Sequence, residues 1–275
     1  MPAPPGPGYT IDHEVRDDGS VRFACSDDLA SWPWLALDPR NPLVIQTQFF
    51  WASVGATRAR QTRDDDKWSA LTWTDWKCSS GPVGSASWGQ FRDKGSDNQL
   101  SFEIDLFDAA DRQIVAARGR GVVFRTRNFE TWRDGAKREI KATGSAPADF
   151  VYADRALLNL SEREVPLIAP MTADRRTTAL ITKENGLPPA HPYFSGSGDH
   201  VNSTHLAEVA RQVASLCRDG APLRVTGGEM DMRRYIELGS PFEIALEEKR
   251  DDRVVMAVSQ MGRDCSTLAL TLGKL

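Results

Sequence analysis

Three of the four histidines in this 275-residue chain fall between His191 and His205, in the stretch His191-Pro-Tyr-Phe-Ser-Gly-Ser-Gly-Asp-His-Val-Asn-Ser-Thr-His205. A helix-like segment follows at once, Leu206-Ala-Glu-Val-Ala-Arg-Gln-Val-Ala-Ser-Leu216. This order gathers Asp199, His200, Asn202, His205 and Glu208 around one helix start. Side chains that can move protons, and backbone N–H groups that can hold an oxyanion, meet at such a place.

Each residue has two readings. Glu208 and Arg211 stand three apart, close enough to pair across one turn. On an exposed face they would form an ordinary ion pair. The helix is expected to be buried, and an unpaired buried glutamate keeps its proton to higher pH, a state suited to acid–base work. Asp199 and His200 either close a turn after Ser-Gly-Ser-Gly198, with Asp199 accepting from backbone N–H groups, or act as base toward water, a hydroxyl or a carbon acid. Asn202, Ser203, His205 and Gly198 are the candidates to touch a substrate. His191 is expected to pack beside Pro192. A metal centre built from His191, Asp199, His200 and His205 fits no zinc spacing, so no metal and no cofactor is expected. Ser-Gly-Ser-Gly is too short for a dinucleotide fingerprint.

The elements that must hold these residues can be read from periodicity. Leu206, Val209, Ala210, Val213, Leu216 and Cys217 form a continuous apolar stripe over a helix at 203–217, capped by Asn202 or Ser203 and ended by Gly220. Strands are expected at 177–182, 223–234, 241–249, 253–260 and 265–272. The first half repeats this order: a strand at 20–25, a helix from Pro42 to Gly55 that is apolar nearly all round, and strands at 69–77, 83–92, 100–108 and 113–125. Phe102-Glu-Ile-Asp-Leu106 recurs as Phe242-Glu-Ile-Ala-Leu246, and Asp111-Arg112 before Ile114-Val115 recurs as Asp252-Arg253 before Val254-Val255. A nearly constant offset suggests two copies of one unit. The expected divisions are 1–127, a connector at 128–176 with short helical pieces, and 177–275. Within the connector, 155–160 is expected to dock on the main body.

A helix wrapped by an antiparallel sheet, twice over, resembles the double hotdog fold, an α+β architecture whose members process acyl thioesters of coenzyme A or acyl carrier protein. Locally, His191-Pro192-x-Phe194, Asp199-His200-Val201 and Leu206-x-Glu208-x-Ala210-Arg211-Gln212-x-Ala214, with Met232-Arg-Arg-Tyr-Ile-Glu-Leu-Gly-Ser-Pro241, resemble the second repeat of the A-factor synthase family. That family moves a β-ketoacyl group from carrier protein to dihydroxyacetone phosphate. Two departures matter. Asn202-Ser203 stands where Pro-Gly is expected, giving a His-Val-Asn tract similar to that of hotdog acyl thioesterases. Aligned on Pro42, the family's Glu and Arg positions in the first helix hold Thr47 and Phe50. The resemblance thus implies one working site, with Glu208, Asp199, His200 and Arg211 catalytic. The resemblance points first to A-factor-synthase-like β-ketoacyl transfer, with thioester hydrolysis, β-hydroxyacyl dehydration and a catalytically silent acyl-binding scaffold as the alternatives.

Composition narrows the partners. The chain is 40% apolar and 26% charged with a net charge of −4, and both signs are interspersed, which argues against nucleic acid. No apolar run is long enough for a membrane span. The opening Met-Pro-Ala-Pro-Pro-Gly-Pro-Gly reads as a disordered tip rather than a signal peptide. Four scattered cysteines form no CxxC pair, so a reduced, cytoplasmic protein, monomer or homodimer, is expected. Trp73, Trp76 and Trp88 are expected in strands. Arg118, Arg120, Arg125 and Arg127 form a basic patch, read as a solvated face or as a dock for an acidic carrier protein.

Overall fold

The computed structural model describes residues 8–62, 68–96, 99–124, 129–143, 149–162, 164–182 and 200–274. The N-terminal tip, Arg125, Arg127, His191, Gly198 and Asp199 lie outside the described residues. The chain divides into two compact units, Met1–Arg125 and Thr126–Leu275.

In the first unit the order is β1 (Thr10–Val15), β2 (Val21–Cys25), a 3-10 turn (Pro33–Ala36), α1 (Pro42–Ala59), β3 (Trp68–Cys78), β4 (Trp88–Asp93), β5 (Gln99–Phe107) and β6 (Gln113–Phe124). The strands form an antiparallel sheet in the order β1-β2-β4-β5-β6-β3. Period-two alternation in β6 turns Ala117, Gly119 and Gly121 inward and Arg118 and Arg120 outward. Glycine at 119 is a packing requirement, because a Cβ there would lie 2.2 Å from the ring of Phe102 directly opposite. Helix α1 starts where Asn41 Oδ1 accepts the Leu43 N–H (2.9 Å) with Pro42 in the first turn. It packs on β1, β2 and β4. Its burial extends to Gln46, Thr47 and Gln48, all at most 1% exposed.

The second unit contains α2 (Phe129–Thr143), β7 (Arg176–Ala179), α3 (Ser203–Leu216), β8 (Arg224–Met232), β9 (Phe242–Lys249), β10 (Arg253–Gln260) and β11 (Arg263–Gly273). Its sheet runs β8-β11-β10-β9-β7, again antiparallel. Strand β10 alternates without a break, with Val254, Met256, Val258 and Gln260 inward. Helix α3 packs on β11 and is buried from Thr204 through Ser215. Gly220, with φ +77°, ends this region in a left-handed conformation beneath the Ala156 carbonyl, where a Cβ would also clash. The 102–106 and 242–246 echo falls on β5 and β9, each paired with the strand after it.

Several expectations need correction. Residues 83–87 are not a strand; the chain there is tied to the β5–β6 turn through Asp108, and the regular strand begins at Trp88. β1 has no sequence expectation behind it, since Thr-Ile-Asp-His-Glu-Val is polar and mostly exposed. The strand expected at 177–182 stops at Ala179. The connector holds a full helix, α2, rather than short pieces. Leu158 within 155–160 is fully buried, as docking of that stretch requires. Of the arginine patch, the two described members are exposed on β6: Arg118 forks onto Asp75 and Arg120 lies 4.2 Å over the Trp73 ring. Among the described residues no helix is long and apolar enough to cross a membrane.

Asp108 at the β5–β6 turn gives a pH test of the first unit. Its carboxylate accepts from the N–H groups of Gly84, Ala110 and Arg112 and from Arg112 Nε, all at 2.9–3.0 Å. The Gly84 and other backbone N–H bonds outweigh desolvation and hold its carboxyl well below the usual range. A depressed folded pKa contributes stability above the unfolded value of about 3.9 that is lost as pH falls through the folded value. Asp108→Asn should therefore melt below the wild type at pH 7. The gap should close progressively as pH falls below about 4. A gap independent of pH would refute this.

Candidate active site

The approach to α3 is set by one isolated β-bridge. Val201 pairs with Ile236, its N–H donating to the Ile236 carbonyl (2.9 Å), so the segment before the helix lies along the loop between β8 and β9. This brings the half-buried His200 against Tyr235, with ring centroids 4.7 Å apart and planes at 85°.

The helix then begins with a reciprocal cap. Asn202 Oδ1 accepts the His205 N–H (3.2 Å), and His205 Nδ1 accepts the Asn202 N–H (3.1 Å). This is a capping box with histidine in the place usually taken by Glu or Gln. Because Nδ1 accepts, the proton of neutral His205 sits on Nε2. His205 is 1% exposed, so its place is in the cap. The Leu206 N–H goes to the Asn202 carbonyl (3.0 Å). The N–H groups of Ser203 and Thr204 belong to the first turn, where no i−4 carbonyl within the helix is available to them.

One turn further, Glu208 and Arg211 join a buried network. Arg211 Nε donates to Glu208 Oε2 (2.8 Å) and Nη2 to Oε1 (2.6 Å), while Gln212 Nε2 also donates to Oε1 (2.8 Å). Nη2 reaches Glu164 Oε1 as well (3.0 Å). Gln212 accepts the Leu167 N–H (2.8 Å) and donates to the Val165 carbonyl (2.9 Å). Burial alone would lower the Arg211 pKa, but the carboxylates of Glu208 and Glu164 outweigh it and raise it. Both oxygens of Glu208 already accept hydrogen bonds, and the network ties Asn159, Glu164, Val165 and Leu167 to α3.

The structure thus brings His200, Asn202, Ser203 and His205 together at the helix start, and sets Glu208 and Arg211 in the packed network behind it. Glu164, Gln212, Tyr235, Arg133 and Glu237 are not among the site candidates read from the sequence, although Gln212, Tyr235 and Glu237 stand within the motifs that carry the resemblance. Gln212 stands four residues after Glu208 and could have been found by helical spacing. Tyr235 and Glu237 lie in the Met232–Pro241 tract, whereas Arg133 and Glu164 come from distant segments and leave no local signal. Thr47 and Phe50, expected from the sequence to align with Glu208 and Arg211, are respectively fully buried and half-buried on α1. A cleft of about 460 Å³ in the first unit is lined by Thr10, His13, Trp51, Val54 and Arg58, none of them a sequence candidate.

No protein-family model and no curated protein sequence matches the chain. Solved structures do. An acyl-ACP thioesterase from Bacteroides thetaiotaomicron superposes with a TM-score of 0.58 at 12% identity, covering 93% of this chain and 97% of that one. A 12:0-ACP thioesterase from Umbellularia californica gives 0.56 at 13% identity, over 92% and 96%. The architecture is therefore a hotdog-type, antiparallel α+β fold. At this identity the likeness is one of fold.

Proposed function

We propose that the protein is an acyl-thioester hydrolase acting on acyl groups carried by acyl carrier protein or coenzyme A. The observation that carries the reading is His200-Val-Asn202 at the start of the buried helix α3, on a fold shared along nearly its whole length with acyl-ACP thioesterases. In this reading each half of the chain is a hotdog repeat, and the single working site is at α3.

His200 acts as general base and takes a proton from water as the water oxygen attacks the thioester carbonyl. The carbonyl oxygen becomes an oxyanion facing the first-turn N–H groups of Ser203 and Thr204. Collapse breaks the C–S bond, the electron pair leaves with sulfur, and His200 returns the proton to the thiolate. The products are a carboxylic acid and a free thiol. Asp199 and Gly198 remain sequence-based candidates to support His200 and to line the entrance. Asn202 and His205 hold the helix start, and Glu208 with Arg211 fixes the helix from behind. Occupation of both Glu208 oxygens favours hydrolysis over an acyl transfer that would use Glu208 as its acid or base.

Purified protein should be incubated with saturated, β-hydroxyacyl and β-ketoacyl carrier proteins, with and without dihydroxyacetone phosphate, and products followed by mass. Free acid and deacylated carrier without any acceptor are expected. Loss of 18 Da from the β-hydroxyacyl substrate, the mass of one water, would identify a dehydratase, and an ester formed only with the phosphate acceptor a transferase. Tight acyl binding without turnover would sink every enzymatic reading.

A further inference from the structure

Arg133 on α2 is 3% exposed, an unusual place for a cation, and its fork is closed on Glu237, itself 5% exposed. Nη2 donates to Glu237 Oε2 at 2.9 Å, and Nη1 donates to Oε1. The same guanidinium lies over the Tyr235 ring, 4.3 Å from its centroid. Glu237 is fixed through its backbone: Gln260 Oε1 accepts its N–H (2.8 Å) and Gln260 Nε2 donates to its carbonyl (3.1 Å) and to that of Ser240 (3.2 Å). The loop bearing Tyr235 is thus bolted to β10 on one side and to α2 on the other. A further described neighbour of the tyrosine ring is His200, with the two rings nearly perpendicular.

Burying an arginine–glutamate pair gains little net stability over apolar residues of the same volume, so its value here is geometric. A half-buried histidine just before a helix has freedom about two side-chain torsions. A perpendicular aromatic contact removes much of it, because the ring edge is drawn to the aromatic face. Catalytic groups displaced by about 1 Å lose up to about 100-fold in rate, so orientation at this distance matters.

We infer that Tyr235, clamped by the Arg133–Glu237 pair, is a positioning residue that sets the plane of the His200 imidazole; this rests on the hydrolytic reading above. The contact that carries the effect is the one between the two rings.

The test compares Tyr235→Phe, Tyr235→Leu, the double variant Arg133→Met/Glu237→Leu and, as reference, His200→Ala, in steady-state hydrolysis of one acyl-carrier substrate. Tyr235→Phe should retain kcat within about threefold, whereas Tyr235→Leu should lose about 10- to 100-fold in kcat with KM nearly unchanged. The His200 ring protons, assigned by their absence in the alanine variant, should lose the ring-current shift imposed by Tyr235 in Tyr235→Leu. The double variant keeps Tyr235 but removes its clamp, and a several-fold loss of kcat is expected even if Tyr235→Leu fails to fold. Wild-type kcat in both Tyr235→Leu and the double variant, with His200→Ala inactive, would overturn the positioning role alone. Equal losses in the Phe and Leu variants would overturn the assignment to the ring. Full turnover by His200→Ala would overturn the hydrolytic reading and this inference with it.

Discussion

Arg211→Leu should lower stability by about 3–5 kcal/mol, the usual cost of removing one partner from a buried ion network. The reason is what remains. Glu208 and Glu164 are 2% and 8% exposed, and both point at the guanidinium that the variant lacks. Two carboxylates are then left in a poorly hydrated space without a counter-charge, and leucine can fill the volume without accounting for the charge. For a chain of this size the loss corresponds to a fall in Tm of roughly 10 °C. The deficit should also depend on pH in a definite direction. Stranded buried carboxylates take up protons, so their folded pKa rises above the unfolded value. Stability from such groups is complete at low pH and lost as pH rises through the folded pKa. The Arg211→Leu deficit should therefore be smaller at pH 5 than at pH 8. Thermal melts at both values decide the matter: a Tm within two degrees of wild type at pH 8 would mean that the network carries no such weight. Adding Glu208→Leu and Glu164→Leu to the variant should recover much of the loss, because the triad is then replaced by apolar volume.

How much of this could be read from the sequence depends on how local each cause is. The apolar stripe of α3 and its limits follow from side chains that repeat every three or four residues, and the helix lies where that spacing puts it. The alternation of β10 is equally local. The Glu208–Arg211 pair was legible from spacing, but its further partners were not. Its third member, Glu164, is 47 residues upstream of Arg211 in a stretch with no periodicity, and it is the third member that turns a candidate acid into part of a packed network. His205 shows a different limit. Its position after Asn202 suits substrate contact and a capping box equally well, and only the direction of the Nδ1 hydrogen bond separates them. Arg133 was invisible for a third reason: on an amphipathic, highly charged helix nothing distinguishes the one arginine that turns inward. β1 escaped because five of its six residues lie at least partly open to solvent and show no apolar alternation.

His200→Ala should reduce kcat/KM for an acyl-carrier thioester by about 100- to 10,000-fold, the range that general acid–base catalysis contributes, and leave Tm nearly unchanged. The two halves of this expectation have separate causes. His200 is half-buried and stands outside the helix, with an aromatic contact to Tyr235, so truncating it leaves the buried core of α3 unchanged. The bridge from Val201 to Ile236 and the Asn202–His205 cap use groups that the substitution does not touch. The helix start, with its first-turn N–H groups, therefore stays in place, and the variant should still bind substrate with a similar KM. What it lacks is the group that takes the proton from water and returns it to the leaving sulfur. Adding a strong external nucleophile such as hydroxylamine bypasses the first of these steps and should restore part of the acyl release. Asn202→Ala gives the contrast. It removes the side-chain half of the capping box and should cost about 1 kcal/mol of stability, with activity falling only as far as the helix start loosens. If His200→Ala kept full activity while Asn202→Ala lost it, the chemistry would belong to the helix start itself and His200 would be a structural residue.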